Sequence, residues 1–292
     1  MKALIRILYM LSRLPLGILY LFSDVIYFLN YYFVGYRKTV VFHNLRNSFP
    51  EKSHQEITAI QKRFFKNFSD YIVETAKSFT VTGEELRVRV QHINQQVFRD
   101  AQSEGKNIIL LTGHVFNWEW FAPLATVVPQ EKCFPVYRKM HSEFWEDEIR
   151  QIRNRYGNHA LEASEVIRHV LKNPNDGNSI YMFVADQSPY VNDVNYGIEF
   201  LNQKTPVFVG YDKLATRLDL IFVYCDMRKV KRGFYQVNYY RIFPDGEKFT
   251  EHEVVKKFHK MLETTIRKRP DNYLWSHRKW KYADSIKNFD SE

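Results

Sequence analysis

The sequence predicts an α/β fold: a central, mostly parallel sheet flanked by helices, behind an N-terminal membrane-anchoring helix. Three observations carry this. An apolar run fills residues 14–34, short buried-strand patterns then alternate with helical ones, and no repeat, low-complexity tract or Pro/Gly-rich linker divides residues 36–292. The chain is therefore read as an anchor over 1–35 and one further domain over 36–292.

Taken in order, the anchor is Leu14–Val34, 21 residues interrupted mainly by Ser23, Asp24 and Asn30. As a helix it reaches roughly 31 Å at ~1.5 Å per residue, about the thickness of a hydrocarbon core. Length permits a span. Asp24 near its middle costs about 2.5–3.5 kcal/mol in a bilayer, and Tyr20, Tyr27, Tyr31 and Tyr32 prefer the headgroup level, so the expectation is a tight anchor, shallow or barely spanning. Lys2, Arg6 and Arg13 flank one side and Arg37 and Lys38 the other, which leaves orientation open, as a buried core helix also remains open. No small-x-small site follows a short apolar region, against a cleaved signal peptide.

Ser53-His-Gln-Glu56 is a capping box, and Ile57, Ile60, Phe64, Phe68, Tyr71 and Ile72 follow at helical spacing, predicting a helix over 54–78. Residues 88–93 alternate in part. Asn107–Thr112 is a continuous apolar run that suits a strand covered on both faces, followed by Gly113 and a helix from Asn117. The pattern repeats with a strand over 133–136 and a helix over 141–156. Residues 179–184 and 218–224 read as buried strands, and 164–172 and 250–268 as helices, the last opened by a second capping box, Thr250-Glu-His-Glu253.

Composition narrows the function. The 292 residues are 45% hydrophobic, 26% charged and 16% aromatic, inside the globular range and outside disordered or multi-span classes. A net charge of +9 favours anionic partners such as a membrane surface, a phosphorylated lipid, an acidic protein or nucleic acid. The two cysteines, Cys133 and Cys225, make no disulfide framework, and no zinc spacing occurs. P-loop, G-x-G-x-x-G and G-x-S-x-G are all missing, and His252-Glu253 lacks a second histidine at 256. Scattered lysines and arginines without a recognition motif argue against nucleic acid.

The segment that stands out is Gly113-His-Val-Phe-Asn-Trp-Glu119, directly after the best buried strand, where ligands of α/β sheets gather. His114 precedes the predicted helix and Glu119 falls in its first turns. The carboxylate can fold back to hold one ring nitrogen, leaving the other to take a proton from a hydroxyl. The plain alternative is a structural histidine and an acid that is merely favourable at a helix N-terminus.

Five ordered segments then give the chain a likeness that covers nearly its whole length. They are Asn44-Leu-Arg-Asn-Ser-Phe-Pro-Glu51 (with Arg37 before it and Glu74 after), Gly105–His114 with its H-x4-E motif, Val136-Tyr-Arg138 ahead of a helix ending Arg153–Gly157, Ala185-Asp-Gln187, and Tyr273–Trp280. Together they resemble the lipid A biosynthesis acyltransferases, the lauroyl and myristoyl transferases of Gram-negative envelopes. The resemblance implies a glycerolipid-acyltransferase-like fold at the inner membrane, with the domain on the cytoplasmic side. It also implies transfer of a fatty acyl group from an acyl carrier protein thioester to a hydroxyl of a membrane glycolipid, without a cofactor or metal. His114 and Glu119 map onto the family's catalytic pair. Arg138 is the candidate for an oxyanion or phosphate, or else a structural ion pair. Asp186 orients the acceptor, pairs with Arg138 or serves a turn. Asn117 and Trp118 shape the pocket wall. Trp275, His277, Arg278 and Lys279 look like a docking or structural element, or a solvated basic tail. Aromatics at Phe64–Phe68 and Phe116–Phe121 line an apolar groove or pack the core.

The pattern departs from the family at Phe116, where many relatives have glycine in the motif, and at Phe200-Leu-Asn202, where they have Phe-Phe-Gly. Both departures bear on acyl length and acceptor. The alternatives carried alongside are an acyltransferase for a lysophospholipid or aminolipid, and a non-enzymatic basic peripheral membrane protein.

Overall fold

A computed structural model describes residues 2–139, 143–243 and 250–291. The helix starts placed at His141 and the side chain of Lys2 lie outside the described residues.

The N-terminal run breaks at Pro15 into α1 (Lys2–Ser12) and α2 (Leu16–Leu29), which continues as a π turn over Asn30–Val34 and stops at Gly35 in the left-handed region. After α3 (Lys38–Ser48) comes α4 (His54–Lys77), closed at its start by the reciprocal Ser53–Glu56 capping box. Residues 83–93 split into α5 (Gly83–Arg89) and β1 (Val90–Ile93), because Thr82 caps a helix through Glu85 N–H before the strand begins. Then follow α6 (Gln96–Ser103), β2 (Ile108–Thr112), β3 (Lys132–Tyr137), α7 (Glu143–Asn154), β4 (Leu161–Glu162), α8 (Val166–Lys172) and β5 (Ser179–Val184).

The helix expected from Asn117 is instead a 3₁₀ segment, Trp118–Thr126. Pro123 within it has no N–H to continue an α-helical ladder. The second half holds β6 (Tyr196–Phe200), β7 (Gln203–Pro206), α9 (Asp212–Ala215), β8 (Ile221–Lys231), β9 (Phe234–Arg241), α10 (Glu253–Lys268) and β10 (Asn288–Asp290). The strand expected over 218–224 starts at Ile221 and runs on to Lys231 as the first arm of a long hairpin, turning at Arg232-Gly233. A Cβ at Gly233, whose φ is +74°, would strike the Tyr20 hydroxyl. Helix α10 starts later than its expected capping box: His252 sits at φ 71°, and Asp212 accepts from the N–H groups of His252 (2.6 Å) and Val255.

The main sheet runs β1-β9-β8-β2-β5-β3-β4, parallel except for the β8–β9 hairpin. A small sheet, β10-β6-β7, stands apart. Strand β2 is buried throughout: Ile109 and Leu111 join one apolar cluster and Ile108 and Leu110 the other, so helices cover both faces of the sheet as a continuous apolar run requires. Helix α2 lies along α4 with only Leu16, Leu19, Ser23 and Tyr31 of the 16–34 stretch buried.

Candidate active site

Register places the two central residues. Strands β2 and β5 are parallel neighbours with Thr112 opposite Val184, and Ala185 N–H donates to the Thr112 carbonyl at 2.9 Å. Two residues beyond each of those paired positions are His114 and Asp186, side by side at the carboxyl edge of the sheet. Asp186 Oδ1 accepts from the His114 backbone N–H at 3.0 Å and faces Nδ1 of its ring at 2.5 Å. With Nδ1–H given to the carboxylate, Nε2 carries the lone pair, and the Gln187 amide sits 2.9 Å from it. The Trp118 ring meets the imidazole edge-on, with centroids 4.7 Å apart.

Glu119 is elsewhere. Its Oε1 accepts from Arg153 at 3.1 Å and from the Trp118 indole N–H at 3.1 Å, so among the described contacts the expected fold-back onto His114 does not occur. The reason is local. Asn117 caps the 3₁₀ segment by accepting Glu119 N–H at 3.1 Å, and the Glu119 side chain lies toward α7, where the half-buried Arg153 donates to it.

Asp186 is only 3% exposed. Burial alone raises a carboxyl pKa, but here the facing His114 outweighs it, together with Lys279 and a hydrogen bond from Tyr273, and Asp186 is held well below the usual carboxylate range. Lys279 is fully buried, its Nζ donating to the Asp186 carbonyl, and burial pulls its pKa down to about 8 against the opposing pull of Asp186. His277, just ahead of it, is pushed down to about 4 by burial.

The 272–280 segment is thus a strap across the site. Phe116 N–H donates to the Asn272 carbonyl at 3.0 Å and Leu274 N–H to the His114 carbonyl at 3.1 Å, so the strap pairs with the His114 loop, while Ser188 and Lys279 tie it to the loop after β5. Asn44 in turn holds the strap by donating to the carbonyls of Trp275 (2.8 Å) and His277 (3.0 Å), and Arg37 donates to that of Ser276 at 2.7 Å. Sequence segments from both ends of the chain therefore converge on one loop. Gly113 admits α10 behind that loop: a Cβ there would come within 2.6 Å of Leu262 Cδ1.

His114 opens into a pocket of about 500 Å³, within the range of small-ligand sites. Trp118, Val136, Phe183, Ala185 and Phe208 supply apolar wall, and Arg138, Lys139, Arg150 and Arg153 supply positive charge, with Glu146, Glu162 and Asp193 among them. Among the described contacts Arg138 does not pair with Asp186; it donates to the Ser188 carbonyl at 3.1 Å and lies over the Tyr190 ring. Of the other expected site residues, Trp118 and Arg138 line the pocket. Asn117 is buried and donates to Glu74 at 3.0 Å, Asp186 lies behind the imidazole, and Arg278 is exposed away from the lining residues. The aromatic stretches are mostly core: Phe64, Phe65, Phe116 and Trp120 are buried, and Trp118 alone of them reaches the pocket. Gln187, Tyr273 and Lys279 lie in the segments 185–187 and 273–280 that carry the resemblance, but their contacts with His114 and Asp186 were not legible from residue spacing. The signal for Asp186 was available, because counting two residues past each parallel strand finds it.

An α/β sheet whose carboxyl edge carries a carboxylate-held histidine at the mouth of a mixed apolar and cationic pocket is an arrangement able to take a proton from a bound hydroxyl. Residues 3–282 match the bacterial lipid A biosynthesis acyltransferases, and the chain belongs to that family. Comparison with curated proteins gave no match.

Proposed function

We propose that this acyltransferase moves a fatty acyl group from an acyl carrier protein thioester to a hydroxyl of a lipid A precursor at the inner membrane, working on its cytoplasmic side. The observation that carries the mechanism is the His114 ring, with Nδ1 on Asp186 at 2.5 Å and Nε2 toward the pocket. The acceptor hydroxyl displaces the Gln187 amide from Nε2 and gives its proton to that nitrogen. The resulting alkoxide oxygen bonds to the thioester carbonyl carbon, the carbonyl becomes an oxyanion, and Asp186 stabilises the imidazolium. Gln187, freed beside the reacting oxygen, and Arg138 are the available donors to the oxyanion. Collapse breaks the C–S bond, and the leaving thiolate takes the proton from Nε2, restoring the neutral ring.

Asp186 thereby takes the orienting part first assigned to Glu119, which instead holds Arg153 and Trp118 in the pocket wall. The positive rim suits a phosphorylated acceptor, and the net charge of +9 suits an acidic carrier. The test is His114→Ala in a vesicle or detergent assay with acyl carrier protein thioesters and a panel of lipid acceptors. Turnover falls by about 10³ or more with the thermal transition unchanged; an unaltered rate rejects the mechanism. Mass spectrometry of envelope lipids with and without the gene names acceptor and acyl chain together, and an unchanged lipid A rejects the substrate.

A further inference from the structure

We propose that the N-terminal region does not cross the bilayer but lies flat on one leaflet of an anionic phospholipid membrane, clamped to the domain along its inner side. This deepens the membrane reading above and rests on it. The inner side of α2 is polar and occupied. Tyr20 Oη donates to Glu74 at 2.7 Å, Ser23 Oγ to Asp70 at 2.7 Å, and Asp24 pairs with Arg232 at 2.7 Å. Arg232 and Lys229 also bind Asp70, at 2.6 and 2.9 Å.

These contacts, with the buried Leu16, Leu19 and Tyr31 and the partly buried Tyr27 between them, recur at helical spacing and run from position 16 to 31, roughly 22 Å of helix at ~1.5 Å per residue. A helix docked over that length cannot cross hydrocarbon without carrying Asp70, Lys229 and Arg232 in beside it. Undocking strands Asp70 and Glu74, both buried in the domain.

The outer side is apolar and open. Leu21 (66% exposed), Phe22, Val25, Phe28, Phe33 (72%) and Val34 face away from the domain, and Met10 on α1 is 69% exposed. Exposed arginines stand at each end of the stretch, Arg13 before it and Arg37 after it. Lys66 on the underlying α4 lies close enough to act on Asp24. An apolar stripe bracketed by cations, on a helix whose polar side is consumed by protein, matches the acyl and phosphate levels of one leaflet.

Asp24, which argued against a span in the sequence, is here a clamp residue. The expectation of a shallow anchor gains a specific form, an in-plane helix.

The test uses the full chain bound to vesicles of phosphatidylethanolamine with phosphatidylglycerol. Single cysteines replace Lys2 or, on the exposed face of α4, Lys62; the native Cys133 and Cys225 are both buried. A membrane-impermeant maleimide added outside labels both variants at rates within about twofold. Protection of the Lys2→Cys variant until detergent is added overturns the proposal, because position 2 then lies across the bilayer. Val25→Asp with Phe28→Asp lowers vesicle co-flotation by about tenfold or more without changing the thermal transition. Undiminished flotation of that pair overturns the assigned face. A concentration-dependent dimer that the pair abolishes, with flotation intact, assigns the face to a second copy and overturns it too. Failure of the unmodified protein to float rejects the membrane reading itself, which separates the two.

Discussion

Asp186→Asn separates the charge of the His114 partner from its shape. The amide keeps the size of the carboxylate, and its oxygen can still accept the two N–H groups that Asp186 receives from His114, at 3.0 Å from the backbone and 2.5 Å from the ring. What disappears is the negative charge facing the imidazolium during proton transfer. Two unit charges about 4 Å apart interact by about 4 kcal/mol at an effective dielectric of 20, which corresponds to about 10³ in kcat at 1.36 kcal/mol per tenfold. Initial rates of acyl transfer across a substrate range give kcat and KM separately, and the loss falls on kcat because the group does not line the pocket. A kcat within about threefold of the parent protein refutes the assignment of Asp186 as the orienting acid. Acid titration supplies an independent check. Asp186 has a depressed folded pKa, so its contribution to stability is present above its unfolded value of about 3.9 and is lost as pH falls through the folded one. The parent protein therefore loses its stability advantage over the variant below about pH 4, and stability curves that stay parallel through that range contradict the linkage.

Glu119→Gln leaves the imidazole pair intact and removes the charge facing Arg153, so kcat falls by less than about tenfold while KM rises; a loss as large as that of Asp186→Asn returns the catalytic partnership to Glu119. Tyr20→Phe deletes one of the donors to the buried Glu74, whose other carboxylate oxygen accepts from Asn117 and Tyr235. Leaving a buried acceptor short of a donor costs about 1–3 kcal/mol, and part of that loss appears as a several-fold fall in kcat at constant KM because Asn117 sits in the His114 loop. Equal kcat with only a lowered melting temperature makes Tyr20 purely structural.

How much of this was legible depends on how local the cause is. The Ser53–Glu56 box and the buried run at 108–112 are written within a few residues, and helix α4 and strand β2 begin and end within a residue or two of where the pattern put them. The Thr250–Glu253 box has the same letters, yet α10 begins at Glu253, because a distant carboxylate, Asp212, supplies acceptors for the helix start. Strand β8 was read short for a related reason. Its second half, Asp226–Lys231, is polar and finds its partners in β9 across the turn at Gly233, a pairing that periodicity within one strand does not reveal. In the site, His114 was visible because it follows a strand buried on both faces. The H-x4-E spacing presumes a regular helix, whereas Pro123 with the Asn117 cap gives a 3₁₀ turn that aims Glu119 at Arg153 and not at the imidazole. The carboxylate that faces His114 lies 72 residues away in sequence and adjacent in the sheet.

The His114 loop is also supported in an unusual direction, from both ends of the chain. From the C-terminal side, Asn272 and Leu274 pair with its backbone while Lys279 fixes the Asp186 carbonyl. From the N-terminal side, Tyr20 on the outer helix reaches Glu74, and Glu74 reaches Asn117. A loop that must hold an imidazole within a few tenths of an ångström of its acid gains little from its own irregular backbone over 113–117, so its precision has to come from what packs around it. Since one of those supports is the helix proposed to lie on the membrane, anything that lifts that helix also loosens the grip on Asn117. On the proposed in-plane docking, the membrane-facing helix and the His114 loop are thus joined through one buried carboxylate, Glu74, which accepts from Tyr20 and Asn117.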